Sequence, residues 1–151
     1  MTKYTRDIQA ILREEVVPRD TDRYGVVIGI ESYADRRLAL RCARRDAKAM
    51  YELMIDPDCG MFRPANVALL LDESARKEAI WNALASLRRK AARGDTVWIY
   101  YAGHGAMEGG DFYWVPYDGN VDDLYATGLA RSQIAQVLDD IPAERVVAFL
   151  D

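Results

Sequence analysis

The segment Thr96-Val97-Trp98-Ile99-Tyr100-Tyr101-Ala102-Gly103-His104-Gly105 decides the fold, because an apolar run ends there at the chain's single histidine. The β-branched and aromatic residues 96–101 predict a buried strand. Glycines on both sides of His104 free the backbone for a sharp turn and leave the imidazole uncrowded. Open α/β sheets bind ligands beyond the carboxyl ends of their strands. A histidine there, with an unperturbed pKa of about 6.5, suits general-base catalysis; a loop histidine that only ends the strand is the alternative.

Three further apolar runs have the same continuous character, at residues 25–30, 67–71 and 146–150. Such runs are too continuous for half-exposed antiparallel strands and predict a parallel sheet covered on both faces. Apolar residues at helical spacing lie between them: Ala43, Ala47, Met50 and Met54; Ile80, Leu84, Leu87 and Ala91; Ile134, Val137 and Leu138. Strands alternating with helices predict a three-layer α/β/α domain with a mostly parallel central sheet.

Smaller features complete the predicted organisation. Ser132 is predicted as the N-cap of the third helix, and residues 112–116 as part of a short hairpin at the rim of the sheet. A leading helix is marked by Ile8, Ile11 and Leu12. The chain therefore divides into an N-terminal helix and linker, residues 1–22, and one domain, residues 23–151. Because the sequence stops where a central strand delivers its functional residue, we interpret it as a fragment of a longer domain.

Composition narrows the class of protein. With 151 residues, 50% of them hydrophobic and 29% charged, the sequence is typical of a globular domain. A net charge of −4 argues against a general binder of nucleic-acid phosphates. No apolar run reaches the roughly 20 residues of a membrane span, and the charged N-terminus lacks the apolar core of a signal peptide. Cys42 and Cys59 have neither metal-like nor redox-like spacing, so a cytoplasmic protein with reduced thiols is predicted.

Five segments in a particular order carry a resemblance to a known family. They are residues 25–30, the Asp46-Ala47 pair within the next helix, and residues 100–105, 115–118 and 145–151. Together they resemble the large-subunit region of the caspase-like cysteine peptidases, closest to the bacterial metacaspases and orthocaspases. The resemblance extends over residues 23–151 and implies a caspase-like three-layer fold that is truncated after its fourth strand.

The resemblance implies a cysteine endopeptidase. In this family a cysteine thiolate attacks the peptide carbonyl, while a histidine takes the thiol proton and returns it to the leaving amine. By position that histidine is His104, and the backbone N–H of Gly105 would help to hold the developing oxyanion. The nucleophile is expected two places after Asp151, so the fragment by itself is expected to be inactive. Neither Cys42 nor Cys59 matches that position, and we interpret both as buried or incidental thiols.

Substrate preference is expected to depend on charge in the primary pocket. Family members that cleave after Arg or Lys carry two aspartates there, and Asp46 and Asp151 match these positions. Because desolvated carboxylates bind a guanidinium in a bidentate manner, cleavage after Arg or Lys is predicted. Asp46 as a plain helix-surface acid is the alternative. Selection of aspartate by arginines also stays open, although we interpret the arginines near the first helix as a solvated face: Arg36, Arg37, Arg41, Arg44 and Arg45.

No cofactor is predicted, and calcium is the one that the resemblance leaves open. Four acids after the histidine loop suit calcium by type: Asp111, Asp118, Asp122 and Asp123. Where the family often carries paired aspartates, this chain has Ala130-Arg131, so calcium dependence is not favoured. The expected partners are a protein or peptide substrate, the remaining C-terminal part of the same catalytic domain, and an activating protein. Neither a nucleic-acid nor a membrane partner is expected.

Two other functions fit parts of the sequence. A caspase-like domain without catalysis, acting as a scaffold or regulatory binding module, is the main alternative. The residue encoded two places after Asp151 separates the two, because a cysteine there favours the peptidase. A nucleotide-binding α/β domain fits poorly, since residues 31–35 form no glycine-rich phosphate cradle. Three large aromatic residues are predicted to serve packing: Tyr24, Trp98 and Trp114.

Overall fold

A four-stranded parallel sheet forms the centre of the fold in a computed structural model, which describes residues 21–151. Its strands are β1 (Arg23–Gly29), β2 (Val67–Leu71), β3 (Thr96–Ala102) and β7 (Arg145–Leu150). They lie in the order β2-β1-β3-β7, and every neighbouring pair is parallel. All four predicted strands are therefore confirmed. The predicted leading helix around Ile8 lies outside the described residues.

Helices lie on both faces of this sheet and confirm the three layers. The expectation that every strand is covered on both faces is wrong for β7, which is exposed along most of its length because it is an edge strand of the sheet. They are α1 (Ala43–Ile55), α2 (Lys77–Lys90), the short α3 (Leu124–Thr127) and α4 (Arg131–Asp139). Alternate residues of β1 enter two separate cores: Val27 packs in the α1 core, and Val26 packs in the core of α2 and α4. The α1 helix lies very close to β1, since a Cβ at Gly29 would overlap the Ala47 side chain. That contact requires a glycine in the strand.

A small antiparallel sheet stands at the rim, beyond the carboxyl end of β3. Its strands are β4 (Gly105–Glu108), β5 (Asp111–Trp114) and β6 (Leu129–Ala130), in the order β4-β5-β6. Gly109 and Gly110, with φ of 58° and 87°, form the tight turn between β4 and β5. The predicted hairpin is thus present, with its strands at residues 105–108 and 111–114.

The predicted cap of the third helix is wrong. Helix α4 starts at Arg131, and its N-cap is Ala130 rather than Ser132. The reason is a tertiary contact: Ala130, in β6, pairs with Tyr113 of β5, so the chain passes directly from a strand into the helix. Ser132 lies in the first turn, where its hydroxyl donates to Asp111 Oδ2 at 2.8 Å.

The three aromatic residues predicted to pack do so to different extents. Tyr24 and Trp114 are buried. Trp98 is half-buried between Phe62 and Phe149, with ring centroids 5.3 and 5.6 Å away.

Among the helices within residues 21–151, none has the length and apolar character needed to cross a lipid bilayer.

Candidate active site at the carboxyl rim of the sheet

His104 lies in the turn between β3 and β4 and is half-buried at the rim of the sheet. Its Nε2 atom is 2.9 Å from the carbonyl oxygen of Leu38. Because a carbonyl oxygen only accepts, this hydrogen bond assigns the proton of the neutral ring to Nε2. The other nitrogen, Nδ1, is then the basic atom of the imidazole.

Two tyrosines hold the main chain of His104. The His104 N–H donates to the Tyr33 hydroxyl oxygen at 2.8 Å, and the Tyr101 hydroxyl lies 2.7 Å from the His104 carbonyl oxygen. The Tyr101 hydroxyl is also 3.0 Å from the carbonyl oxygen of Val115. Burial raises the pKa of both tyrosines, that of Tyr101 well above its ordinary value, so both remain neutral near pH 7. The backbone of His104 is therefore fixed on both sides of its Cα.

The loop that supplies Leu38 and Tyr33 is tied down by Asp72, which follows β2. Asp72 Oδ1 accepts hydrogen bonds from the Glu31 and Ser32 amides at 2.8 and 2.9 Å, and Oδ2 pairs with the Arg44 guanidinium. Burial alone would raise the pKa of Asp72. The two amides and the guanidinium outweigh that effect, so the pKa is lowered. A charged carboxylate thus anchors the loop that orients the imidazole.

The ends of β3 and β7 meet beside the histidine turn. The Asp151 N–H donates to the Tyr101 carbonyl oxygen at 2.9 Å, and the Gly103 N–H donates to the Asp151 carbonyl oxygen at 3.3 Å. The end of β7 therefore lies next to the turn that carries His104. A cleft of about 260 Å³ opens here, with Gly105 and Asp151 on its walls. A Cβ at Gly105 would overlap the Phe112 ring, so the packing of this ring against the main chain of Gly105 favours glycine there.

The two predicted specificity aspartates both act on one tyrosine. Asp151 Oδ2 accepts a hydrogen bond from the Tyr100 hydroxyl at 3.0 Å. Burial, followed by this hydrogen bond and the charges of Asp151 and Asp46, raises the pKa of Tyr100 to about 12. Asp46, on α1, is partly exposed and forms an ion pair with Arg45 at 3.3 Å. Asp151 thus contacts the Tyr100 hydroxyl directly, whereas Asp46 affects it only through its charge.

Other residues singled out from the sequence lie apart from this arrangement. Cys42 precedes α1 and Cys59 lies in the turn after it; both thiols are free and exposed, so burial is wrong and the interpretation as incidental thiols is left. They are exposed because one occupies a helix N-cap position and the other a surface turn. The five arginines near α1 are exposed, as a solvated face requires, and three of them pair with aspartates: Arg37 with Asp35, Arg44 with Asp72, and Arg45 with Asp46.

The four acids considered for calcium serve separate local contacts. Asp111 accepts from Ser132, Asp118 accepts from the Lys77 amide, and Asp123 caps α3, while the Asp122 amide donates to Asn120. Within the part of the chain from residue 21 onward, no group of three or more His, Cys, Asp or Glu side chains is arranged to hold a metal ion.

Comparison with known proteins identifies the family. The family model of the caspase domain matches residues 22–151. The chain therefore belongs to the caspase-domain family, a family of cysteine peptidases. No curated protein matches the chain. It is similar in fold to the crystal structure of protein GSU0716 from Geobacter sulfurreducens, with a TM-score of 0.68 and 18% sequence identity. That match covers 86% of this chain and 50% of the other, so this chain spans about half the length of that protein.

Sequence reasoning missed five contributors to the arrangement: Tyr33, Leu38, Asp72, Tyr100 and Tyr101. Leu38 acts through its backbone carbonyl, for which the sequence carries no side-chain signal. The alternation of side chains along a strand could have placed Tyr100 and Tyr101 on opposite faces. Their different tasks, however, depend on neighbours that only the folded chain brings together.

Proposed function

We propose that the complete protein, meaning this chain with the residues that follow Asp151, is a cysteine endopeptidase with a Cys–His dyad. His104 is its general base and general acid. The observation that carries this proposal is the hydrogen bond from Nε2 to the Leu38 carbonyl oxygen, at 2.9 Å. It fixes the ring and reserves Nδ1 for the proton of a nucleophile. The nucleophile is a cysteine two places after Asp151.

The proposed reaction follows from this proton position. The thiol proton moves to His104 Nδ1, and the sulfur bonds to the substrate carbonyl carbon, whose oxygen becomes an oxyanion stabilised by the Gly105 N–H. The C–N bond then breaks while His104 gives its proton to the leaving amine. Water hydrolyses the thioester after losing a proton to His104, which returns it to the departing thiolate. The adjacent ends of β3 and β7 support this proposal, because they bring the chain after Asp151 to the histidine turn.

The proposed substrate is a protein or peptide cleaved after Arg or Lys. Asp46 and Asp151 recognise the basic side chain through their carboxylates. Two observations support this assignment: Asp151 accepts a hydrogen bond from the Tyr100 hydroxyl, and Asp46 belongs to α1, the helix that packs on the face of the sheet where Tyr100 lies. We also propose a cytoplasmic enzyme of the metacaspase and orthocaspase type that needs no cofactor and is completed by the C-terminal part of its own domain. An activating protein is a further proposed partner.

Fluorogenic peptides that differ only in the cleaved residue test the proposal. The complete protein is expected to cleave arginyl or lysyl peptides, and to do so equally with and without a calcium chelator. The His104→Ala variant is expected to lose about 10²- to 10⁴-fold in kcat, the contribution of a general base. Full activity of that variant would overturn the dyad, and equal turnover of aspartyl and arginyl peptides would overturn the specificity. Cleavage of no peptide would favour a scaffold or binding module.

A further inference from the structure

Tyr100 is a polar group that the proposed reaction does not use. It alternates with Tyr101 on β3, so the two adjacent tyrosines point to opposite faces of the sheet. Tyr101 packs in the core of α2 and α4 and its hydroxyl contacts the His104 carbonyl oxygen, whereas Tyr100 packs in the α1 core with Val27 and Ala47. Tyr100 is only 7% exposed, yet its hydroxyl reaches the rim and meets the carboxylate of Asp151.

Asp151 is held at its main chain and at its side chain by β3 and the turn that follows. Its N–H and carbonyl oxygen bind Tyr101 and Gly103, which fixes the position of its Cα. The Tyr100 hydroxyl, 3.0 Å from Oδ2, then fixes the rotation of the carboxylate. Within residues 21–151 the other oxygen, Oδ1, has no hydrogen bond. The hydroxyl therefore restricts the rotation of the carboxylate, and because each carboxylate oxygen can accept more than one hydrogen bond, both oxygens can still accept from a guanidinium.

The electrostatic surroundings of Tyr100 keep its hydroxyl a neutral donor. Burial raises the pKa of Tyr100 to about 12, with further contributions from Asp151 and Asp46. The hydroxyl therefore remains protonated at any pH at which a peptidase would work. Asp46 is the second carboxylate that acts on this hydroxyl, and it has an exposed partner in Arg45.

We propose that Tyr100 is a specificity-determining positioning residue that orients the Asp151 carboxylate for bidentate recognition of an arginine side chain. The inference rests on the proposed function and adds a preference for Arg over Lys within it. A planar guanidinium needs a carboxylate in a fixed plane, because two parallel N–H bonds must form at once. A lysine ammonium is a compact charge with rotatable donors, so it depends much less on that plane.

The test is Tyr100→Phe in the complete protein, which removes one oxygen and keeps the ring. Tyr125→Phe is the matched control, because Tyr125 is 85% exposed on α3. With arginyl peptides, the KM of Tyr100→Phe is expected to rise roughly threefold to tenfold, the usual effect of losing one hydrogen bond. Its kcat and its KM for lysyl peptides are expected to change less than about twofold, so the Arg-to-Lys ratio of kcat/KM falls.

Tyr100→Leu also removes the hydroxyl and is expected to give the same fall in the ratio. A loss of folded enzyme in either variant does not affect the test, because the ratio compares two substrates of the same protein. An unchanged Arg-to-Lys ratio in both variants would overturn the inference while leaving the proposed function intact. So would an equal loss of kcat with both peptides, which is the mark of a merely structural role. Failure of the unaltered protein to cleave after either basic residue would instead overturn the proposed function.

Discussion

Two aspartates hold opposite ends of the same sheet by the same kind of contact, a carboxylate that accepts hydrogen bonds from two backbone amides. Asp95, at the amino end of β3, is 0% exposed, and its carboxylate accepts from the Asp22 and Ala92 amides at 2.9 and 2.8 Å. Its own carbonyl oxygen accepts from the Glu144 and Arg145 amides. Asp95 therefore joins the segments that enter β1, β3 and β7.

Asp72, at the carboxyl end of β2, also accepts two backbone amides, those of Glu31 and Ser32. The segment that it holds leads to Tyr33 and Leu38, which position His104. One aspartate thus stabilises the assembly of the sheet, and the other stabilises the geometry of the candidate site. Asp95 and Asp72 make the same kind of hydrogen bond. They differ in role because they hold different segments of the chain.

The largest effect, a loss of stability, is expected for Asp95→Ala in the complete protein. Two partly buried amides lose their acceptor. Because an unsatisfied buried group costs about 1–3 kcal/mol, the free energy of unfolding should fall by about 2–5 kcal/mol. Urea denaturation measures this change. Asp140→Ala is the control, because Asp140 forms an exposed ion pair with Arg88 and its loss should cost less than about 1 kcal/mol. At temperatures where Asp95→Ala is folded, its activity per molecule should be unchanged. A loss of that activity would contradict the contrast between Asp95, which stabilises the sheet, and Asp72, which stabilises the site.

A smaller effect on stability but a clear effect on activity is expected for Asp72→Ala. Its loss frees the loop of Leu38 and Tyr33, and alanine is strained at the left-handed φ of 46° that Asp72 adopts. We expect roughly a tenfold fall in kcat, since about 1.4 kcal/mol of positioning is lost, the scale of one charge-assisted hydrogen bond. Steady-state kinetics on folded enzyme measures it.

Asp72→Asn is the matched variant, because asparagine tolerates the left-handed region and its oxygen still accepts from both amides. It should retain most of the activity that Asp72→Ala loses. Equal kcat in the alanine variant and the unaltered protein would show that the loop does not depend on Asp72, and the contrast with Asp95 would then be wrong.

The sheet could be predicted because its signal is local. Continuous apolar runs mark the four strands, and helical spacing marks α1, α2 and α4. Burial on both faces explains the apolar run in the central strands β1 and β3, whereas β7 is mostly exposed. The cap of α4 could not be predicted, because the pairing of Ala130 with Tyr113 overrides the local preference of Ser132. Contacts distant in sequence decided that boundary.

The candidate site, too, could be predicted from the sequence only in part. The position of His104 at the carboxyl end of β3 follows from the topology alone, because parallel strands deliver their ends to one rim. Its partners do not follow, since Leu38 is a backbone acceptor 66 residues away and Asp72 reaches across 41 residues to Glu31. Such contacts depend on how the loops at the rim pack against one another, which a strand or helix pattern does not encode.

The smallest expected effect is on the pH dependence of the free energy of unfolding. It is also the most detailed test of the contrast between Asp72 and Asp95. The pKa of Asp72 is lowered in the folded state by the amides and the Arg44 guanidinium, against the opposing effect of burial. Its contribution to stability is therefore fully present above the ordinary carboxyl pKa of about 3.9 and is lost as the pH falls through the lower folded-state value. Asp72→Asn does not titrate, and all other carboxyl groups are shared by both proteins. The difference in unfolding free energy between the two should be constant from pH 7 to about pH 5 and shrink at lower pH. A difference that stays constant or widens in acid would mean that charge on Asp72 does not hold the loop, and that the amide hydrogen bonds alone make it the counterpart of Asp95.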